Sequence, residues 1–184
     1  VSASAKGYVA SWLWTQGEAE ASGAYGVNVT EYRGHFDNLL GLLGGISATP
    51  TPKVGICVIG KTTGGHVSGD SAGNLHWSKQ RENLFNMTDK PNVYIATNLS
   101  DSAMIDVYHY TSDAYVENGR RAALSMGKAM GYSTYDGRGP IITGATRSGA
   151  VITLPMNLNG ATSVAGTGLT NYEVSANDFA SVLD

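Results

Sequence analysis

Three short apolar runs, each followed by a stretch with helical periodicity, constrain the fold of this 184-residue chain most strongly. The runs cover residues 7–14, 53–59 and 92–97, and their apolar residues follow one another instead of alternating with polar ones. Such runs are typical of strands that lie between two layers of helices. Strand and helix alternate three times, which is the order of a parallel sheet with right-handed crossovers. We therefore predict a three-layer α/β/α fold around a parallel sheet.

The helices are predicted from apolar residues that recur three or four positions apart. The first helical stretch ends at Gly44-Gly45, and the second covers residues 75–86. The third starts at a cap formed by Thr111 or Ser112 and runs to about Gly131. The face of the third helix that is predicted to be buried consists of Tyr115, Gly119, Ala122, Ala123, Met126 and Met130.

The sequence pattern changes after residue 132, where glycine-rich turns begin to separate short β-type runs. We place a domain boundary within residues 133–139. Residues 1–134 form the predicted α/β unit, and residues 139–184 form a small β-rich C-terminal piece that looks incomplete. The predicted β-type runs are 140–145, 150–154 and 171–174.

The composition excludes several classes of protein. The formal net charge of −3 and the charged fraction of 15% give no basic surface for nucleic acid or for an anionic membrane. No apolar run is long enough to cross a bilayer, so we expect no membrane insertion. The low charge and the 24 glycines favour an extracellular or virion protein, although the compartment itself is not determined. The chain begins with Val1 and ends without a terminating element, so we expect it to be part of a longer protein.

An aspartate three residues before a histidine, in the loop ahead of the third helix, indicates a possible catalytic pair. The carboxylate of Asp106 can fold back to accept the ring N–H of His109, which leaves the other ring nitrogen free to act as a base. The more ordinary interpretation of this spacing is a solvated pair in a loop.

A second polar cluster, Gln16-Gly17-Glu18, follows the first predicted strand. Ligands bind at the carboxyl ends of the strands in open α/β sheets, so this position suits a binding site. The Gln16 amide could donate to a developing oxyanion. Alternatively, the cluster is a turn whose polar groups satisfy the local backbone.

Other candidate motifs are weaker. Gly69-Asp70-Ser71 suggests a serine nucleophile, but it lies deep in a loop and does not follow a buried strand directly. His66 and His76 flank the same loop without a Cys or Glu at ligand spacing, so we predict no metal site. Gly64-Gly65 lacks the Lys-Ser/Thr of a phosphate-binding loop. We expect no cofactor.

The stretch Trp-Leu-Trp-Thr-Gln-Gly-Glu-Ala-Glu-Ala at residues 12–21 closely resembles the W-x-Q-G-E segment of the sialate O-acetylesterase branch of the SGNH (GDSL-type) hydrolases. Further matches recur in the order of that family, and the resemblance extends from residue 8 to about residue 155. These matches are Tyr32, the helix with Trp77, Gln80 and Arg81, the strand at 92–97, Asp106-x-x-His109, the segment 119–123 and Gly139-Pro140.

The resemblance implies a three-layer α/β/α (SGNH/flavodoxin-like) serine esterase that removes O-acetyl groups from carbohydrates such as sialic acid. Residues 1–134 would then be the C-terminal part of the esterase domain. By resemblance, His109 is the general base and Asp106 is its orienting carboxylate. Gln16 matches the amide of the oxyanion hole, and Glu18 supports the site.

The chain departs from the family at the nucleophile. The family's nucleophilic serine lies on a Gly-x-Ser-type turn after the first strand, well ahead of the Gln-Gly-Glu segment. Few residues precede Gln16 here, and Ser2, Ser4 and Ser11 are not in such a turn. We expect the nucleophile to lie on an upstream segment of the same polypeptide, which would also carry the first strand of the sheet. The alternative is a degenerate domain that binds without cutting.

Three functions remain open at this stage. The first is a carbohydrate O-acetylesterase, from a phage tail protein or a bacterial glycan-degrading system. The second is a non-catalytic glycan-binding or virion structural module on the same fold. The third is an unrelated flavodoxin-like binding domain, which would not bring Gln16 close to His109. The expected partners are an acetylated glycan and the upstream segment, and an oligomer is possible.

Overall fold

A parallel sheet of three strands lies at the centre of the computed structural model, which describes residues 9–21, 28–47, 51–60, 71–106, 108–134, 136–139 and 141–159. The strands are β1 (Ser11–Trp14), β2 (Lys53–Val58) and β3 (Val93–Asn98), in the spatial order β1-β2-β3. Both pairings are parallel. The predicted α/β class is confirmed, and each strand lies within one or a few residues of its predicted position.

Within the described residues, four α-helices accompany the sheet. They are α1 (Glu18–Ala21), α2 (Val29–Ile46), α3 (Ser71–Asn86) and α4 (Ser112–Ala129), and a 3₁₀ turn, Met87–Asp89, follows α3. Side-chain caps explain two of the helix starts. The Asn28 side chain accepts the N–H of Glu31, and the Thr111 hydroxyl accepts the N–H of Ala114 at 3.3 Å. Thr111 is therefore the cap of α4, as the sequence predicted.

The side chains of β2 alternate between two separate core clusters. Val54, Ile56 and Val58 pack in a cluster that includes Phe36 of α2 and Leu84 of α3. The intervening Cys57 packs in a second cluster, which α4 completes with Ala122 and Met126. Each fully buried aliphatic side chain contributes about 1.5–3 kcal/mol to folding. This alternation explains why β2 is an uninterrupted apolar run.

The first strand differs from its prediction, because β1 is not buried on both faces. Leu13 is 53% exposed, although Trp12 and Trp14 are partly buried against the first core cluster. The reason is topological, since β1 is the edge strand of the described sheet and only β2 has a neighbour on each side. An apolar run predicts burial but does not say which strand will be at an edge.

The buried face of α4 is also rotated from its prediction. Tyr115 is 52% exposed, whereas Asn118 and Ser125 are buried beside Ala122 and Met126. The hydroxyl of Ser102 donates to Asn118 at 2.9 Å, so this buried polar residue is partnered across the interface. Apolar periodicity misses polar residues that are buried because they have a long-range partner.

Two small antiparallel ribbons follow α4. Strand β4 (Ile141–Ile142) pairs with β7 (Met156–Asn157), and β5 (Thr146–Ser148) pairs with β6 (Val151–Thr153). The side chains of Ile142, Val151 and Ile152 are each more than half exposed. The predicted β-type runs at 140–145 and 150–154 contain β4 and β6, but β5 and β7 lie outside both runs. The run at 171–174 lies outside the described residues. The division into units 1–134 and 139–184 stays a prediction.

The described part of the chain holds no helix with the length and apolar character that a bilayer crossing needs.

Candidate active site

The polar clusters found in the sequence follow the carboxyl ends of the parallel strands. Gln16 and Glu18 come after β1, and Gly60 comes after β2. The loop after β3 carries Asp106 and His109 before α4 begins. Because parallel strands all end at one edge of the sheet, the three loops share that edge, where open α/β sheets bind their ligands.

Asp106 and His109 are in direct contact. The Oδ2 atom of Asp106 lies 2.7 Å from Nδ1 of His109, and Oδ1 accepts the backbone N–H groups of Tyr108 and His109 at 2.8 Å each. The hydrogen bond with His109 and then these two backbone N–H groups lower the pKa of Asp106 to about 2. The carboxylate stays ionised at neutral pH and occupies Nδ1, which leaves Nε2 for proton transfer.

A short antiparallel pairing holds the histidine loop. Met104 forms an isolated β-bridge with Tyr110, and the backbone N–H of Ile105 donates to the carbonyl of His109 at 2.8 Å. The phenol oxygen of the buried Tyr110 accepts the N–H of Gly60 at 2.8 Å. Burial raises the pKa of Tyr110 to about 12, so its phenol is neutral. The side chain next to His109 is thus tied to the end of β2.

Gly60 is required by this close approach. A Cβ atom at this position would lie 2.5 Å from the carbonyl oxygen of Leu99 and 2.9 Å from the hydroxyl of Tyr110. The carbonyl of Gly60 accepts the indole N–H of Trp77 at 2.6 Å and also a guanidinium N–H of Arg81. The loops after β2 and β3 therefore meet at a glycine that α3 holds in place.

Gln16 lies in a chain of hydrogen bonds between β1, α1 and α2. The Trp14 indole N–H donates to the Tyr32 hydroxyl at 3.0 Å, and that hydroxyl donates to Gln16 Oε1 at 2.6 Å. The Gln16 amide nitrogen in turn donates to the Glu20 carboxylate at 2.5 Å. The side chain of Gln16 is half-buried and held at both ends.

The pKa of Glu18, in the Gln16–Glu18 turn, responds to groups on two elements. Burial raises the pKa of its carboxyl group, and the nearby charge of Glu20 raises it further. A backbone hydrogen bond and the positive charge of protonated His109 act in the opposite direction, but burial outweighs them. The charge of His109, in the loop after β3, therefore acts on the carboxyl group of Glu18, in the helix after β1.

No local sequence pattern predicts the supporting residues on other elements. Gln80 is fully buried on α3, and its amide nitrogen would lie 2.9 Å from a Cβ placed at Gly17, where φ is +140°. Tyr32 forms a hydrogen bond with Gln16, which is 16 residues away in the chain. Tyr110 forms one with Gly60, which is 50 residues away. Hydrophobic periodicity does not predict contacts between residues so far apart in the chain. Tyr32 and Gln80 were indicated only by the resemblance to the family, in which matching residues follow in the same order.

Several of the remaining sequence candidates cannot be placed relative to the site. His66, Gly64-Gly65 and Gly69-Asp70 lie outside the described residues, and residue 71 is the first residue of α3. Cys57 is buried in β2, and burial raises the pKa of its thiol. In the described part of the chain, no three His, Cys, Asp or Glu side chains converge in a way that could hold a metal ion.

Comparison with known proteins gives one informative likeness. No protein-family model matches the chain, and no curated protein matches it. Among solved structures, it resembles a carbohydrate acetylesterase from Xanthomonas citri. The TM-score is 0.62, with 22% sequence identity over 83% of this chain. The aligned region covers 33% of the length of that protein. At this level of identity, the likeness concerns the fold.

Proposed function

We propose that this protein is part of a serine esterase of the SGNH type that removes O-acetyl groups from carbohydrates. The observation that carries the proposal is the Asp106–His109 pair, joined at 2.7 Å in the loop after β3, at the same edge of the parallel sheet as the Gln16–Glu18 turn. A base with an orienting carboxylate, beside an amide donor, is what acyl transfer to serine requires. The likeness to a carbohydrate acetylesterase supports the same function.

In the proposed reaction, the oxygen of a serine hydroxyl attacks the acetyl carbonyl carbon while His109 Nε2 accepts the hydroxyl proton. The carbonyl oxygen becomes an oxyanion, to which the Gln16 amide donates. His109 then protonates the departing sugar oxygen, and an acetyl-serine ester remains. Water attacks this ester with His109 again as the base, and acetate leaves as the serine is re-formed. Asp106 holds the ring and stabilises its protonated form, while Glu18 supports the site from α1.

The proposed nucleophile belongs to an upstream segment that adds a strand to the sheet beside β1. Two observations support this placement. Among the described residues β1 pairs only with β2, and Leu13 is 53% exposed on this edge strand. A groove of about 160 Å³ lies beside it, lined among others by Thr15, Cys57, Leu99 and Tyr115. An unpaired strand edge beside an apolar groove is suited to accept another strand.

The proposed architecture is three-layered. The two core clusters take alternate side chains of β2, and α2 and α3 contribute to one cluster while α4 contributes to the other. This arrangement supports helices on both faces of the sheet. It places the loops after the strands on a rigid framework, as a catalytic site requires.

The test measures acetate release from acetylated polysaccharide and from acetylated sialic acid by the full-length protein. Replacing a general base lowers the rate about 10²- to 10⁴-fold, so His109→Ala should lose at least about 100-fold in kcat/KM. His35→Ala is the matched control, because His35 is an exposed histidine on α2 that faces Glu31.

Near-normal turnover by His109→Ala would overturn the assignment of the base. A wild-type protein that binds glycans but releases no acetate would overturn the esterase proposal and favour the non-catalytic glycan-binding module instead.

A further inference from the structure

The hydrogen bonds around Gln16 form a chain with a fixed direction. The indole N–H of Trp14 can only donate, so the hydroxyl oxygen of Tyr32 is its acceptor at 3.0 Å. At the other end, an ionised Glu20 carboxylate can only accept, and it lies 2.5 Å from the Gln16 amide nitrogen. The chain therefore runs in one direction from Trp14 through Tyr32 and Gln16 to Glu20.

This direction determines the orientation of the Gln16 amide. The Tyr32 hydroxyl proton is available for Gln16 Oε1, at 2.6 Å, because the hydroxyl oxygen already receives the Trp14 N–H. An amide rotated by 180° would turn its oxygen towards the Glu20 carboxylate and lose both hydrogen bonds. One N–H of the amide is used by Glu20, and the second N–H keeps a fixed direction because the amide is planar.

The side chains of Trp14 and Tyr32 in this chain are held by their surroundings. The Trp14 ring packs edge-on against the buried Phe36, with the ring centroids 5.6 Å apart. Burial raises the pKa of Tyr32 to about 12, so the phenol keeps its proton at any pH at which an ester would be assayed. The Tyr32 hydroxyl oxygen also lies 3.2 Å from the Gln16 backbone carbonyl oxygen, but its single proton belongs to the shorter contact with Gln16 Oε1.

We propose that Tyr32 is a positioning residue for ester hydrolysis, which orients the Gln16 amide so that its second N–H points at the oxyanion. This inference rests on the proposed esterase function and extends it to a residue that never touches the substrate. A preorganised donor stabilises the transition state without reorganisation, so a loosened amide should affect turnover more than substrate binding.

The kinetic test uses Tyr32→Phe, with Tyr94→Phe as the matched control. The Tyr94 hydroxyl meets Lys53 on the sheet and belongs to no candidate cluster. Loss of an oxyanion-hole donor costs about 10²- to 10³-fold in kcat, and Gln16→Ala sets this limit. We expect Tyr32→Phe to lower kcat about 10- to 100-fold with KM changed less than about threefold. Because Tyr32 acts through Gln16, the double variant should be no slower than Gln16→Ala alone.

A second test uses NMR spectroscopy to observe the side-chain amide of Gln16 directly. Gln16 and Gln80 are the two glutamines of the sequence, so ¹⁵N labelling of glutamine gives few side-chain amide signals. The Gln16 signal is identified by its loss in Gln16→Glu. In the wild type we expect two well-separated proton shifts with slowed solvent exchange. In Tyr32→Phe we expect the chemical shifts of the two amide protons to approach those of a solvent-exposed glutamine side chain.

The outcomes separate this inference from the function on which it rests. A wild-type protein that releases no acetate refutes the esterase function, and the positioning role is then refuted with it. An active, His109-dependent enzyme in which Tyr32→Phe keeps kcat within twofold refutes the positioning role alone. Additive losses in the double variant, or an unchanged Gln16 signal in Tyr32→Phe, would also refute it.

Discussion

The Asp106→Asn substitution removes the charge and replaces one carboxylate oxygen by an NH₂ group of similar size, so it isolates what the carboxylate does for His109. In the wild type, both carboxylate oxygens accept hydrogen bonds: Oδ2 from the ring of His109, and Oδ1 from the backbone N–H groups of Tyr108 and His109. Asparagine has only one acceptor oxygen. It therefore cannot satisfy the ring and the backbone at the same time.

Two orientations of the asparagine amide compete. If its oxygen accepts the two backbone N–H groups, the NH₂ group faces Nδ1 of His109 and forces the proton onto Nε2, which is the wrong tautomer for a base. If the oxygen faces Nδ1 instead, the NH₂ group faces two backbone donors. The first orientation retains about one hydrogen bond more, which corresponds to roughly a 5- to 10-fold preference. Only the second orientation leaves His109 able to accept a proton.

The lost negative charge adds a further penalty. The side chain of His109 is 67% exposed and that of Asp106 is 52% exposed, so water screens the attraction between them. We therefore expect the weaker stabilisation of the protonated ring to lower the rate by roughly a further fivefold. Together the two factors lower kcat/KM by roughly 25- to 50-fold. This loss is smaller than that expected for His109→Ala, because the ring remains in place.

The assay is acetate release by the full-length protein, together with thermal unfolding to show that the variant is folded. Asp113→Asn is the matched control, because Asp113 is an exposed aspartate in the first turn of α4. A loss of less than threefold in Asp106→Asn, alongside a large loss in His109→Ala, would refute the orienting role of Asp106.

Two further predictions concern residues that hold the framework. Gly60→Ala places a Cβ 2.5 Å from the Leu99 carbonyl oxygen, so the backbone must move. We expect a loss of about 1–3 kcal/mol in the free energy of unfolding and slower ester hydrolysis, whereas Gly41→Ala, in an open position on α2, should gain about 0.5–1 kcal/mol. Denaturant unfolding measures both, and an unchanged stability of Gly60→Ala would contradict the predicted clash. The second prediction is the pH dependence of Asp136, whose side chain is 2% exposed. Burial alone would raise its pKa, but hydrogen bonds and charge from Arg138, with help from Lys128, hold the pKa well below its usual range. Because the folded-state pKa is lowered, the stabilisation is present above about pH 4 and is lost as the pH falls below that value. Asp136→Asn should therefore cost about 2 kcal/mol at pH 6 and less at pH 3, and an equal cost at both pH values would contradict this.

The local features were predictable because they depend on residues close together in the chain. The Thr111 cap and the Asp106–His109 contact each span three residues, so the backbone of one turn brings the groups together. The apolar runs predicted the strands, because two buried faces require consecutive apolar side chains. The catalytic roles of Gln16, Glu18, Asp106 and His109 remain predictions that the proposed assays test.

The sequence by itself determined the α/β class, the order of its elements and the aspartate–histidine pair, because hydrophobic periodicity and short-range hydrogen bonds are properties of local sequence. The tertiary structure decided that β1 is an edge strand among the described residues, that Asn118 of α4 is buried, and that Tyr32 holds Gln16. These features depend on the parallel pairing of strands and on helix contacts between residues far apart in the chain. Such contacts form only when the chain folds back on itself, and no local pattern specifies them.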